Sequence, residues 1–130
     1  MIGLVLVAHA HLAAELLKAA EMIVGPIPQA EALGIGPGDD GETILAGITA
    51  ALKRLGGNGA IIMTDMFGGT PSNLSLSFLE DNRIEVLSGV NLPMVMEFAL
   101  KRERVGVAEL AASLRDCGRE SISVAGDFLK

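Results

Sequence analysis

The sequence predicts an α/β fold, a parallel sheet with helices on both faces. Three observations carry that expectation. Residues 2 to 8 form a short, continuous, β-rich apolar run, as a strand covered on both faces requires. Leu12, Leu16, Ala19 and Ile23 then recur at helical spacing. Strand and helix signals go on alternating to the end of the chain, which implies right-handed crossovers between parallel strands.

The first helix should bury the stripe Leu12, Leu16, Ala19 and Ile23 and stop at Gly25 and Pro26. "AEALGI" is a weaker second strand. Leu45, Ile48, Leu52 and Leu55 mark a second helix closed by Gly56 and Gly57. "GAIIMTDM" is the third strand. In "TPSNLSLSFLE" the spacing puts Thr70 at an N-cap, Pro71 at the first helical position and Leu74 one turn before Phe78. A short strand is expected at Ile84 to Leu87, and a helix near Pro93 to Leu100. A last helix turns Val107, Leu110, Leu114 and Cys117 inward and ends at Gly118, and "SISVAG" reads as a final strand.

The 130 residues suit a single domain, 1–130, with a core large enough to need no disulfide or metal. Without Trp or Tyr that core is aliphatic. A net charge of -6 and the lack of any Lys/Arg concentration argue against nucleic acid. No apolar run approaches the roughly 20 residues that span a bilayer, and "MIGLVLVA" has no basic leader, so a cytoplasmic location is expected. The lone Cys117 excludes an internal disulfide and reads as a buried, unreactive side chain.

In a sheet of this kind ligands bind at the carboxyl ends of the strands, and strands one and three flank the crevice in the commonest small version. His9 ends the first and Asp65 the third, so the topology brings an imidazole beside a carboxylate. "DMFGGTP", residues 65 to 71, adds glycines that admit close backbone approach, the Thr70 hydroxyl and the unpaired N–H groups of a helix start. Together these make an anion cradle next to the ring. His11 shares the solvent side of the first helix with Glu15 and Lys18. Only if it turned inward would His9, His11 and Asp65 offer a metal-dependent hydrolase set, a minor alternative. "GPGDDG", residues 36 to 41, has the letters of a dinucleotide fingerprint, but it follows the wrong strand and its acids would repel a pyrophosphate; Asp39 and Glu42 look instead like a helix cap. There is no P-loop, and the clustered acids of a response-regulator receiver are missing.

"VLVAHAHLAAELLKAAEMIVG", "TDMFGGTPSN" and "SGVNLPM", in that order, resemble the IIA component of the mannose family of the phosphoenolpyruvate-dependent sugar phosphotransferase system. The resemblance implies a parallel four-stranded sheet in the order 2-1-3-4, extended by an antiparallel C-terminal strand exchanged in a homodimer, a part open to "SISVAGDFLK". It also implies a phosphoryl carrier. His9, rather than His11, would accept the phosphoryl group from phospho-HPr and pass it to a histidine of a IIB component, which serves the membrane components IIC and IID. Asp65 would orient His9, and Gly68, Gly69, Thr70 and Pro71 would form the phosphoryl-binding turn, with Thr70 stabilising the group in transfer. Phe67 stands where many members have tryptophan and is the candidate partner-binding anchor. No metal or nucleotide is required, since the donor already carries an activated phosphoryl group. A regulatory protein using the same His9 without a sugar permease is the alternative the residues leave open.

Overall fold

The computed structural model describes residues 1–66 and 68–129. Four parallel strands, β1 (Gly3–His9), β2 (Ala30–Ile35), β3 (Ala60–Thr64) and β4 (Ile84–Ser88), lie in the order β2-β1-β3-β4. Five α-helices accompany them: α1 (Leu12–Val24), α2 (Gly41–Arg54), α3 (Thr70–Ser75), α4 (Leu92–Lys101) and α5 (Val107–Glu120). The expected fold class and strand order are both observed.

The two faces of the sheet bury different sets. Leu4, Leu6, Ala8, Ile61 and Met63 point to one side, where Phe98 of α4 and Leu110 and Leu114 of α5 complete the larger cluster with α1. Val5, Val7 and Ile62 point the other way, onto Ile44, Ile48 and Ala51 of α2. Strand alternation then decides the last rung: His9, two residues beyond Val7, belongs to the face covered by α2 and α3. That alternation aims the imidazole at the smaller helical layer.

Several expectations are corrected. α1 buries Ala13 and Ala20, with Leu16, Leu17 and Val24 packed beside them, while Leu12 and Ile23 are 45% and 59% exposed. The buried stripe is thus turned by about one residue, because methyl-sized side chains let the helix lie close to the sheet and α4. α3 starts at Thr70 with Gly69 at its N-cap, so Thr70 stands inside the first turn instead of capping it. It is also short, passing into a 3-10 turn at Leu76–Phe78. Ser75 and Ser77 donate to the carbonyls of Pro71 and Leu74, the competing local bonds that make serine a poor continuer of a helix. The cap of α2 is Asp40, which accepts from the Thr43 N–H at 2.8 Å, while Asp39 accepts from the Gly36 N–H in the preceding turn.

The last helix does not end at Gly118. Gly118 lies inside α5 and is buried where the helix crosses α4, and a Cβ there would come within 2.6 Å of the Met94 sulfur. Gly118 marks a close helix crossing and not a helix end. Cys117 is half-buried, its Sγ 3.7 Å from the Pro93 carbonyl. Beyond α5, "SISVAG" forms no strand within the chain. A 3-10 turn covers Ala125–Leu129, and Ile122, Val124, Phe128 and Leu129 are each at least 66% exposed.

Replacing Gly118 with Val, whose bulk exceeds what the Met94 side chain can yield and which gains little in helix propensity, should destabilise the protein by about 1 to 3 kcal/mol through overpacking. Chemical denaturation checks this, and an unchanged midpoint would mean that the crossing has room to spare.

Candidate functional site

The carboxyl ends of β1 and β3 are adjacent because these strands pair directly, Val7 opposite Thr64. One residue beyond that last pair, Asp65 faces back toward β1. Its Oδ2 accepts from the His9 backbone N–H at 3.0 Å and lies 2.7 Å from His9 Nδ1. An ionised carboxylate only accepts, so Nδ1 carries a proton, and in the neutral ring the lone pair is left on Nε2. The imidazole is 53% exposed and the carboxylate side chain 13%. A largely shielded carboxylate therefore holds a half-exposed ring.

Burial is the largest single influence on the Asp65 carboxyl and pushes its pKa up. The hydrogen bonds from the His9 backbone and ring, with the attraction of the ring's charge, outweigh it, so the carboxyl ionises below the ordinary aspartate value. Its other oxygen, Oδ1, is buried and accepts no hydrogen bond among the described residues. The hydrogen bonds that this carboxylate accepts among the described residues are those from His9 to Oδ2.

The turn after His9 is built by two residues that sequence reasoning passed over. Ala10 takes a left-handed conformation, φ 53°, and its N–H donates to the Ile35 carbonyl at 2.9 Å. Its own carbonyl crosses so close to Gly34 of β2 that a Cβ there would lie 2.4 Å from the oxygen. The absent side chain of Gly34 is what allows the chain to turn sharply after His9 and start α1. An isolated glycine in a strand pattern was the available signal.

His11 follows at the N-cap position of α1. It is exposed, makes no capping bond through its side chain and stays away from the other two groups. Among the described residues no three His, Cys, Asp or Glu side chains come together as a metal site, so the set His9, His11 and Asp65 of the hydrolase alternative is not assembled.

After Asp65 the chain bends toward α3. Gly68 has φ +82°, a conformation L side chains rarely adopt, and Gly69 opens the helix, its carbonyl accepting from the Asn73 N–H at 3.0 Å. Thr70 is exposed, and its hydroxyl makes no hydrogen bond among the described residues, whereas Pro71 is buried behind it. Phe67, the expected partner anchor, lies outside the described residues. Beneath the turn runs a set of hydroxyls that the sequence reading did not join: Thr64 Oγ1 donates to Ser88 Oγ at 3.1 Å, and Ser72 Oγ lies 2.9 Å from the same atom.

Fold and site together define an α/β protein that holds an exposed imidazole at the end of one strand against a carboxylate at the end of its neighbour, with a glycine-rich turn following that carboxylate. Comparison with known proteins gives this class a family. The sequence model described as "PTS system fructose IIA component" matches residues 3–115. The sorbose-specific EIIA component of Lacticaseibacillus casei is 31% identical over 112 residues, 85% of this chain and 81% of that protein. The mannose-specific EIIAB component of Escherichia coli K12 is 32% identical over 124 residues, 93% of this chain but 38% of that longer protein. Among solved structures, EIIA from Streptococcus agalactiae superposes with a TM-score of 0.89 at 27% identity, covering 98% of this chain and 99% of that one. The mannose/sorbose-specific IIA subunit from Enterococcus faecalis gives 0.85 at 30% identity over 95% and 93%. The chain belongs to the mannose-type IIA components of the sugar phosphotransferase system.

Two outcomes test the site as built. Substituting Gly34 by Ala should cost about 1 to 3 kcal/mol and disturb the amide resonances of Ala10 and His9 in NMR spectra, because the Ala10 carbonyl must move; an undisturbed spectrum would show that the turn does not need the glycine. Asp65 ionises more easily folded than unfolded, so its stabilisation is fully present above the unfolded pKa and is lost as pH falls through the folded value. Melting temperatures of wild type and Asp65→Asn should therefore converge on acidification, and a pH-independent gap would contradict the pairing.

Proposed function

We propose that the protein carries a phosphoryl group on His9, accepting it from phospho-HPr and delivering it to a histidine of a IIB component that serves the membrane components IIC and IID of a sugar permease. The observation that supports this best is the 2.7 Å contact of His9 Nδ1 with Asp65, which in the neutral ring places the proton on Nδ1 and leaves the lone pair on Nε2. Membership of the IIA family supports the same reading.

In the forward step the Nε2 lone pair attacks phosphorus, the P–N bond to the donor imidazole breaks, and its electron pair returns to that ring. Nδ1 retains its proton, so the phosphorylated His9 ring becomes cationic. Asp65 then faces a positive ring and stabilises it; the same charge makes Nε2 a good leaving group for onward transfer. One carboxylate thus serves both directions without itself gaining or losing a proton. Thr70, with the backbone N–H groups of the Gly68, Gly69 and Pro71 turn region that carry one, receives the phosphoryl oxygens as charge redistributes. Pro71 has no N–H and contributes by fixing the turn.

Transfer between two histidines requires a protein to dock directly on the ring. Leu12, three residues after His9, and Met66, next to Asp65, are 45% and 53% exposed and offer apolar ground for it. The family reading extends to assembly. β4 has a strand on one side only, and the exposed side chains of residues 122–129 supply an apolar segment that a second copy could take onto that edge as an exchanged strand.

Incubation with phosphoenolpyruvate, enzyme I and HPr should label His9 with an acid-labile phosphoryl group, located by mass spectrometry. The His9→Ala variant should fold and take up none, and label persisting in it would reject the assignment. Thr70→Ala should slow transfer about tenfold or more with little change in melting temperature; a wild-type rate would remove the hydroxyl from the reaction.

A further inference from the structure

We infer that Ser88 is a positioning residue for the transfer site, a pin through which the ends of β3 and α3 are held at one point so that Asp65 and the Gly68–Thr70 turn keep their relative placement. The inference rests on the reading of His9 as the phosphoryl carrier.

Register brings the parts together. Thr64, the last residue of β3, is paired with Ser88, the last residue of β4, on the sheet face shared with Ile62 and Val86. That is the face on which α3 lies. Thr64 Oγ1 donates to Ser88 Oγ at 3.1 Å, and the Ser88 hydroxyl meets Ser72 Oγ at 2.9 Å. Thr64 and Ser72 are 0% and 1% exposed, so water does not replace either bond cheaply. The Thr64 carbonyl is fixed as well, accepting from the Gly89 and Val90 N–H groups at 3.0 Å each.

Both ends of this hydroxyl chain lead straight into the site. Thr64 is bonded through its peptide to Asp65, and Ser72 stands two residues after Thr70 in the first turn of α3. α3 is only six residues long; Leu74 packs it against the apolar cluster under α2, and Ser72 gives it a side-chain hydrogen bond to the sheet. Ser88 itself touches none of the reacting groups. It acts through Thr64 on the carboxylate that orients His9, and through Ser72 on the turn that receives the phosphoryl oxygens. Displacements well under 1 Å change the rate of an in-line transfer far more than they change docking.

The test uses Ser88→Ala, the isosteric Thr64→Val and, as the conservative control, Thr64→Ser. Ser88→Ala and Thr64→Val should lower kcat for transfer from phospho-HPr about tenfold at unchanged KM. In 15N spectra of the unphosphorylated protein they should also move His9 from the Nδ1–H toward the Nε2–H tautomer. Thr64→Ser should preserve both properties. A drop in melting temperature with kcat and tautomer both at wild-type values would overturn the inference, since a merely structural hydroxyl would behave so. A lowered kcat with an unmoved tautomer would overturn the link to Asp65. If the wild-type protein accepts no phosphoryl group at all, the functional reading fails by itself, and the tautomer still decides: a shift in the variants upholds the pin, its absence overturns it.

Discussion

A single carboxylate oxygen, Asp65 Oδ2, receives both the backbone N–H and the ring Nδ1 of His9. The chemistry of the site depends on that doubled contact. An acceptor-only partner determines which ring nitrogen keeps the proton, and a second bond to the backbone of the same residue prevents the carboxylate from following the ring if it swings. The two residues are 56 positions apart in the chain, and only the direct pairing of β1 with β3 makes them neighbours.

The contact also explains the electrostatics. Desolvation works against an ionised Asp65, and a carboxylate in this position without donors would take up a proton and lose its power to orient the imidazole. The His9 N–H groups reverse that tendency. The ring in turn owes its direction to strand alternation and to the tight turn at Ala10, where a left-handed residue and a missing side chain at Gly34 fit together. Local backbone strain is tolerated at this turn because the β1–β2 ladder and the start of α1 constrain it from both sides.

The sheet divides its labour between faces. α1, α4 and α5 cover one side with the larger apolar cluster, sealed by the Gly118 crossing and by Arg102, whose guanidinium lies over the Phe98 ring and donates to the Pro28 carbonyl at 2.6 Å. The other side has the smaller cluster under α2 and, at its carboxyl end, polar residues in place of aliphatic ones. The aliphatic alternation of β3 and β4 ends there in Thr64 and Ser88, and the short α3 rests on hydroxyls at that point. At that end the Thr64 and Ser72 side chains are buried while the His9 ring is 53% exposed.

Much of this was legible in the chain itself. Periodicity, β-rich runs and punctuation by Gly and Pro determined the order and type of the elements, since these are local consequences of backbone sterics and of burying one face. His9 at a strand end and the glycine-rich turn after Asp65 were visible for the same reason, and the likeness of three ordered motifs to a known family pointed to their chemistry. Tertiary structure decided what depends on a neighbour distant in sequence. It chose Ala13 and Ala20 over Leu12 and Ile23 as the buried face of α1, because the space above the sheet selects the stripe. It put Gly118 inside a crossing where sequence saw a helix end, gave Asp40 the cap expected of Asp39, left residues 122–124 outside any strand, and set Thr64 beside Ser88 through a register no local pattern encodes. His9 and Asp65 stand between the two groups: strand order read from the sequence already set the imidazole beside the carboxylate, and packing gave the 2.7 Å distance and the second bond to the His9 backbone.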